Sequence, residues 1–361
     1  MVTGKPPRDL SLDSFRGTDV LLMILVNVQG NGDAAYDFIK HVEWNGVTLA
    51  DFVFPVFLLI VGLSAPLALE RPGATVNWGG ILRRSALLFL IGVGLSLAIR
   101  PTLDPDMIRW TGVLQRIAIV YLICAGVIAL RKGAGIALLL AVSLLAIHSF
   151  MLLHVGSPAG GAPSMAPGMG ISGWLDQNFI PGRVLRQTWE PEGILSTLPA
   201  IANALIGLAV MRHIQARGIG HALLGAIGAA LIVGGLMLTP WLPLNKNLWT
   251  ASFALVTSGS GLVIWASLRA LWPVIGGNRL AAWTVTLGQA ALTLYVVHTL
   301  LIAVIFRQLP SGERIWEVTY QALVGTGLSP AAASMLYAMI AAAISCALLP
   351  WLKRRGWILK V

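Results

Sequence analysis

The sequence predicts an all-α, polytopic membrane protein, and three observations carry that prediction. Hydrophobic residues fill 57% of the 361 positions and charged residues only 11%. Soluble domains carry about 25% charged residues, so much of this apolar surface has to face lipid. The apolar residues also fall in runs near the roughly 20 residues that a spanning helix needs. About ten such segments follow, near Phe15 to Val28, Val47 to Leu69, Ile81 to Ile99, Gly112 to Leu130, Gly135 to His154, Ile194 to Met211, Ala222 to Trp241, Leu248 to Leu271, Ala281 to Phe306 and Pro330 to Leu352.

The first segment is short and polar at its start. Asp13 and Arg16 stand three apart and share a helix face, either as a solvated anchor or as a functional pair, and Asp19 follows a turn later. Asn27 lies about 16 Å beyond Arg16 at 1.5 Å per residue, well across a core of about 30 Å. There an amide can join helices or serve chemistry. The stretch from Asn27 to Val61 then packs His41, Asp33, Asp37, Glu43, a Trp44-Asn45-Gly46 turn and Asp51 into the joint between two apolar segments. Polar groups at membrane depth are costly, so this joint is the first place to look for a site.

The second segment opens at a cap from Asn45 or Thr48. Asp51, in its opening turns, suits the helix dipole or holds the His41 imidazole in one tautomer. Pro55 and Gly62 leave room for a kink. The third segment begins with Arg83 and Arg84. The fourth follows Trp110-Thr111-Gly112 and takes Gln115 and Arg116 into the membrane, where an arginine needs a partner such as Asp51, Glu192 or a phosphate. The fifth leads to the longest loop, residues 155–190, whose Gly/Pro/Ser-rich first half is expected to be irregular and whose second half suits an ordered lid. Trp189-Glu190-Pro191-Glu192-Gly193 precedes the sixth segment, and Pro243-Leu244-Asn245-Lys246-Asn247-Leu248-Trp249 precedes the eighth. The ninth holds His298 in mid-helix, as a buried hydrogen-bonded ring or a second site histidine. His148, His154, His213 and His221 lie at helix ends or in short loops.

Charge sets the orientation. With both termini cytoplasmic, 16 of the 25 Lys and Arg residues fall inside, 8 fall outside, and Arg116 stays within a helix, as the positive-inside rule requires. His41 and the polar knots at Glu190 and Asn245 then share the outer face. The net charge of +10 reads as this anchoring and not as nucleic-acid binding. The polar opening MVTGKPPRDLSLDSFRG lacks the pattern of a cleaved signal peptide. Cys124 and Cys346 sit in separate apolar runs and are read as buried small hydrophobes, with no disulfide framework. No P-loop, strand-linked GxGxxG, CxxC pair or GxSxG elbow is present, and no cluster has metal-ligand spacing. No fixed-period repeat or boundary divides the chain, so residues 1–361 are expected to form a single transmembrane domain.

SLDSFRG, the Asn27 segment, HVEWNGVTLADFVFPVFLLIVGLS, GVLQRIAIVYL, WEPEGILSTLPAIANALIG and PLNKNLWTASFALVTSG together resemble the heparan-α-glucosaminide N-acetyltransferase family of transmembrane acyltransferases, including its bacterial members. The matches run in order over most of the chain. The resemblance implies acetyl transfer from cytoplasmic acetyl-CoA, a co-substrate, to the amine of glucosamine or a terminal glucosaminide on the far side, in a bacterial inner membrane; no metal is expected, on the spacings above. The family's catalytic histidine matches His41 and its asparagine matches Asn27, with a few more residues between them here. On this reading His41 is the general base, Asp51 orients it, and Asn27 donates to the oxyanion. Arg16 and Arg84, or Arg116 and Lys246 if the nucleotide enters deeper, neutralise the CoA phosphates. Trp44, Asn45, Glu192, Asn245, Asn247 and His298 are candidates for acceptor binding. The family also suggests a homodimer. An amino-sugar transporter and an O-acyltransferase acting on a cell-envelope glycan remain the alternative readings.

Overall fold

The computed structural model describes residues 9–70, 76–130 and 133–359. Lys5, Arg8, Arg71, Arg131, Lys132 and Lys360, which enter the charge count, lie outside the described residues.

The regular structure of the described residues is all helix, apart from two isolated β-bridges. α1 (Leu10–Asn27) starts earlier than the apolar run suggests, because the Asp9 side chain accepts from Leu12 N and caps the first turn. α2 (Leu49–Leu69), α3 (Trp78–Ile99), α4 (Val113–Ala129) and α5 (Ala134–His154) follow the expected segments closely. The long loop contains α6 (Gly170–Phe179), in its second half. α7 (Ile194–Arg217), α8 (His221–Met237) and α9 (Ala251–Ile275) come next. The expected helix from Ala281 to Phe306 is broken. It folds as α10 (Arg279–Gln289) and α11 (Ala291–Ile305), bent by 78°, with Ala290 at φ −115° and ψ 20° outside helical geometry. The break lets α10 lie along α1, where the Gly288 Cα comes close to the Asp13 carbonyl. α12 (Ile315–Val324) is short, and α13 (Pro330–Arg354) ends the fold.

By length and composition α2, α3, α5, α7, α9 and α13 can each cross a membrane, and the α10–α11 pair makes seven if it counts as one span. α4 and α8 are apolar but shorter. The centre of the bundle is α7, with 83% of its apolar window buried, packed on α2; α5 lies at the rim with 28%. Lipid offers no hydrophobic drive between helices, so close backbone approach has to supply the contact. Gly62 of α2 meets the Ala204 carbonyl of α7, and Gly207 of α7 meets the Leu59 carbonyl of α2, each closer than any Cβ allows. This pairing sets α2 rigidly, and α2 carries Asp51 at its first turn.

Candidate active site

The loop after α1 is shaped by a 3-10 turn at Asp37–Ile39 and held by Gln29 Nε2 donating to the Ile39 carbonyl at 2.9 Å. Thr48 Oγ1 donates to the Lys40 carbonyl, which places His41 beside the start of α2. Thr48 N donates to Asp51 Oδ2 at 3.0 Å and Thr48 Oγ1 at 3.2 Å, and Val42 N adds a longer contact at 3.3 Å. The other oxygen, Oδ1, lies 2.8 Å from His41 Nδ1. Asp51 therefore caps its helix and partners the imidazole at once. Each carboxylate oxygen serves one of these contacts. Asp51 is 1% exposed at its side chain and His41 41%, so the charge is buried while the ring reaches solvent.

A second loop, between α8 and α9, brings Lys246 to the same place. Gly46 N donates to the Leu244 carbonyl at 2.8 Å, and Gly46 adopts φ 107°, a backbone that favours glycine. Asn245 is buried, giving Nδ2 to Asn45 Oδ1 at 3.0 Å and accepting from Leu248 N at 2.8 Å. Asn247 Nδ2 donates to the Glu43 carbonyl at 3.2 Å. Three of the asparagines proposed from sequence thus tie the two loops together. The Lys246 ammonium then stands 2.9 Å from His41 Nδ1, 3.5 Å from Nε2 and 3.4 Å from Asp51 Oδ1. Burial pulls the lysine below its usual range, against the opposing pull of Asp51 and Glu192.

The third contribution comes from Glu190 to Gly193. Arg109 binds Glu190 through Nη2 and, at 3.1 Å, through Nε, and it reaches Glu192 at 2.6 Å. Burial alone would lower the Arg109 guanidinium, yet these two carboxylates hold it above the normal arginine range. Burial raises Glu192, and Arg109 with Arg116 more than offsets this, so its carboxyl lies below the usual value. Asp176 on α6 accepts from Glu190 N and Ile194 N, both at 3.1 Å, and burial pushes its carboxyl up to about 6. Trp44 closes the layer: Nε1 donates to the Met165 carbonyl at 2.8 Å and its ring meets Trp189 edge-on at 5.3 Å.

Arg116, 2% exposed, does not pair directly with Asp51 or Glu192. Its Nη2 donates to Pro191 O at 3.1 Å, Gly193 O at 3.3 Å and Ser196 Oγ at 2.6 Å, and the guanidinium lies 4.9 Å from the Trp249 ring. Trp249 itself has φ 54°, a costly backbone for a bulky residue, fixed by its Nε1 donating to Asn203 Oδ1 at 2.8 Å.

The remaining candidates lie apart from this cluster. Asn27 ends α1 with an exposed side chain, and no hydrogen bond joins it to His41 among the described residues. Arg16 binds Asp13 and Ser64 Oγ, the latter near the far end of α2. Arg84 lies over Tyr121 at 4.6 Å. His298 is buried in α11, its Nδ1 3.2 Å from the Leu294 carbonyl and its ring edge-on to Tyr295. A cavity of about 580 Å³ opens beside α6 between Arg100, Asp106, Asp176 and Arg183, and His41 is not in its wall. Among the described residues no group of three His, Cys, Asp or Glu side chains could hold a metal. Sequence reasoning missed Arg109, Glu190 and Asp176 as members of the layer; Glu190 and the Trp110 turn beside Arg109 were visible as polar knots, but their pairing across 81 positions was not.

Six or seven helices suited to a bilayer, closed at one end by polar loops around a His–Asp pair, define an integral membrane protein with its candidate chemistry at a loop-covered end. The family model for "Heparan-alpha-glucosaminide N-acetyltransferase, catalytic" matches residues 8–220, more than half of the chain, and the chain belongs to that family. Two curated relatives bear the name heparan-alpha-glucosaminide N-acetyltransferase. The Homo sapiens protein is 49% identical over 59 residues, 16% of this chain and 8% of the relative. The Mus musculus protein is 47% identical over 53 residues, 15% of this chain and 8% of the relative. The matched stretches thus span under a tenth of the length of these relatives.

Proposed function

We propose that the protein transfers an acetyl group from cytoplasmic acetyl-CoA to the amine of glucosamine, or of a terminal glucosaminide, at the outer face of a bacterial inner membrane. The observation that carries this reading is the 2.8 Å contact between His41 Nδ1 and the buried Asp51 carboxylate on an otherwise exposed ring. With Nδ1–H donated to Asp51, Nε2 keeps its lone pair on a ring that is 41% exposed, the arrangement of an oriented general base.

In the direct route the amine nitrogen, once uncharged, attacks the thioester carbon. The N–C bond forms, the C–S bond breaks, and sulfur leaves with the bonding pair. His41 Nε2 takes the N–H proton and returns it to the departing thiolate. Asn27, at the end of α1, is the proposed oxyanion donor on this route and has to turn toward the ring as substrate binds. Trp44, Asn45, Glu192 and His298 are the proposed acceptor contacts; Asn245 and Asn247 serve by holding the loops. At the opposite end Arg16 and Arg84 are the proposed partners of the CoA phosphates. Lys246 stands in the loop beside His41, and Arg116, in the first turn of α4, is turned toward Pro191 and Gly193, which favours the inner pair for this task. Ten crossings with both termini cytoplasmic complete the proposal, with α1, α4, α8 and the bent α10–α11 pair joining the six clear spans.

The test is glucosamine-dependent release of CoA by protein in nanodiscs. His41→Ala should lose at least a hundredfold in turnover while keeping its helical content and elution volume. Turnover at the parent rate in that variant removes His41 from the mechanism.

A further inference from the structure

His41 Nδ1 has two neighbours of opposite charge, Asp51 Oδ1 at 2.8 Å and the Lys246 ammonium at 2.9 Å. The ammonium is also 3.5 Å from Nε2, so it lies over the face of the ring and not in line with the Nδ1 lone pair. The single in-plane direction of Nδ1 is left to Asp51. A ring that gives Nδ1–H to Asp51 and is otherwise neutral keeps Nε2 free to accept a proton. A ring that already carries both protons does not.

The buried carboxylate decides between them. Asp51 accepts Thr48 N and Thr48 Oγ1 through Oδ2, with Val42 N at longer range, so its charge is well solvated by donors but still requires a cation nearby. Two lie in reach, the ammonium 3.4 Å from Oδ1 and the imidazolium of His41 itself. A cation supplied by lysine leaves the ring neutral. A cation supplied by the ring spends the base. The other charges around this pair are Glu192 ahead of α7, Arg186 on the outer loop and Arg109 behind Glu192. On the ring's own loop, Lys40 is paired with Asp37 at 3.2 Å and Glu43 is exposed. None of these reaches His41 as closely as Lys246 does.

We propose that Lys246 is a positioning residue that keeps His41 neutral and its Nε2 open, by standing as the counter-charge of Asp51 and by opposing a second proton on the ring. The proposal rests on the reading of His41 as the base and assigns Lys246 a task other than phosphate binding. Two unit charges 2.9 Å apart in a water-like dielectric change a protonation equilibrium by about tenfold, or about one pH unit.

The experiment compares the parent with Lys246→Met and Lys246→Arg in nanodiscs. The first readout is substrate-free: a ¹⁵N-histidine NMR titration of His41, assigned with His41→Gln. The midpoint should rise by about one pH unit in Lys246→Met and return to within a few tenths of the parent in Lys246→Arg. Coincident midpoints in all three proteins overturn the proposal. The second readout is the acid limb of kcat/KM for glucosamine-dependent CoA release, which should move up by the same amount in Lys246→Met. A shifted NMR midpoint with an unmoved limb upholds the role of Lys246 toward His41 and overturns His41 as the base. Should Lys246→Met fail to fold, Lys246→Gln removes the same charge under the same two readouts.

Discussion

Replacing Asp51 by Asn tests the site with the least change of shape. Its side chain accepts on both oxygens, from Thr48 N and Thr48 Oγ1 on Oδ2, with a longer contact from Val42 N, and faces His41 Nδ1 through Oδ1. An amide has one acceptor oxygen. If that oxygen takes the Oδ2 position, the capping contacts that start α2 survive, and the NH₂ group now points at Nδ1. The ring must then turn its lone pair to Nδ1 and carry its proton on Nε2, where it cannot act as a base. The corresponding Asp to Asn change in a serine-protease triad costs about 10⁴ in kcat with geometry intact; the more exposed His41 can flip or exchange tautomers, so a loss of roughly 10²–10⁴ is expected here. KM for acetyl-CoA should change little, since Asp51 is buried behind the imidazole. Residues that act as a unit are not additive, so Asp51→Asn combined with His41→Ala should be no slower than His41→Ala alone. The assay is CoA thiol release in nanodiscs with saturating glucosamine. A kcat within threefold of the parent in a folded Asp51→Asn protein refutes the orienting role.

The remaining expectations concern the layer and the bundle. Arg109→Met leaves Glu190 and Glu192 without their guanidinium; stranding buried charge costs about 3–5 kcal/mol, so residues 155–193 should be cleaved much faster in limited proteolysis, and unchanged protection would contradict the pairing. Gly62→Leu drives a side chain into the Ala204 carbonyl and should abolish monodisperse protein in detergent, whereas Leu139→Ala, on the exposed face of α5, should be tolerated. Asp176 titrates at about 6 in the fold against an ordinary 3.8. A raised pKa means that its contribution is fully present below pH 4 and lost as pH rises through 6, roughly 3 kcal/mol over the window. Proteolytic protection of the long loop should therefore weaken from pH 4 to 6.5, and Asp176→Asn should flatten that dependence; an equal slope in both proteins would exclude Asp176 as its source.

What could be read from the residues follows their spacing. Ten apolar runs needed only composition, and each is helical in the described residues. The break in the ninth carries no proline; it depends on α1 lying against Gly288, which no local pattern encodes. His41 and Asp51 are visible as a candidate pair because both fall in one short polar joint, although the irregular backbone that precedes α2 hides whether they touch. Lys246 stands 205 positions from His41, and its charge alone suggested a phosphate. Asn245 shows the converse: amides beside a basic residue suggest ligand contacts, yet this one is buried in the loop framework. Arg116 is expected to seek an anion; its Nη2 reaches backbone carbonyls and Ser196 and its guanidinium meets a tryptophan face, while Nε and Nη1 are buried without a hydrogen-bond partner.

The two ends of α2 set a dimension for the proposed reaction. Asp51 lies in its first turn, and Ser64, which Arg16 Nη2 contacts at 2.5 Å, lies 13 residues further on. At 1.5 Å per residue that is about 20 Å along the helix, two thirds of a hydrocarbon core of about 30 Å. A phosphate held at Arg16 and a thioester at His41 must therefore be joined by an extended arm running beside α2. The rigid α2–α7 contact at Gly62 and Gly207 lies between those points and cannot part without costing the bundle its centre, so the arm has to pass on the side of α2 that faces α1, α4 or α9. Pro55 has no N–H to give the Asp51 carbonyl, so the first turn of α2 lacks one helical hydrogen bond beside the proposed base. The packing that fixes Asp51 therefore also limits the path by which a donor can reach His41.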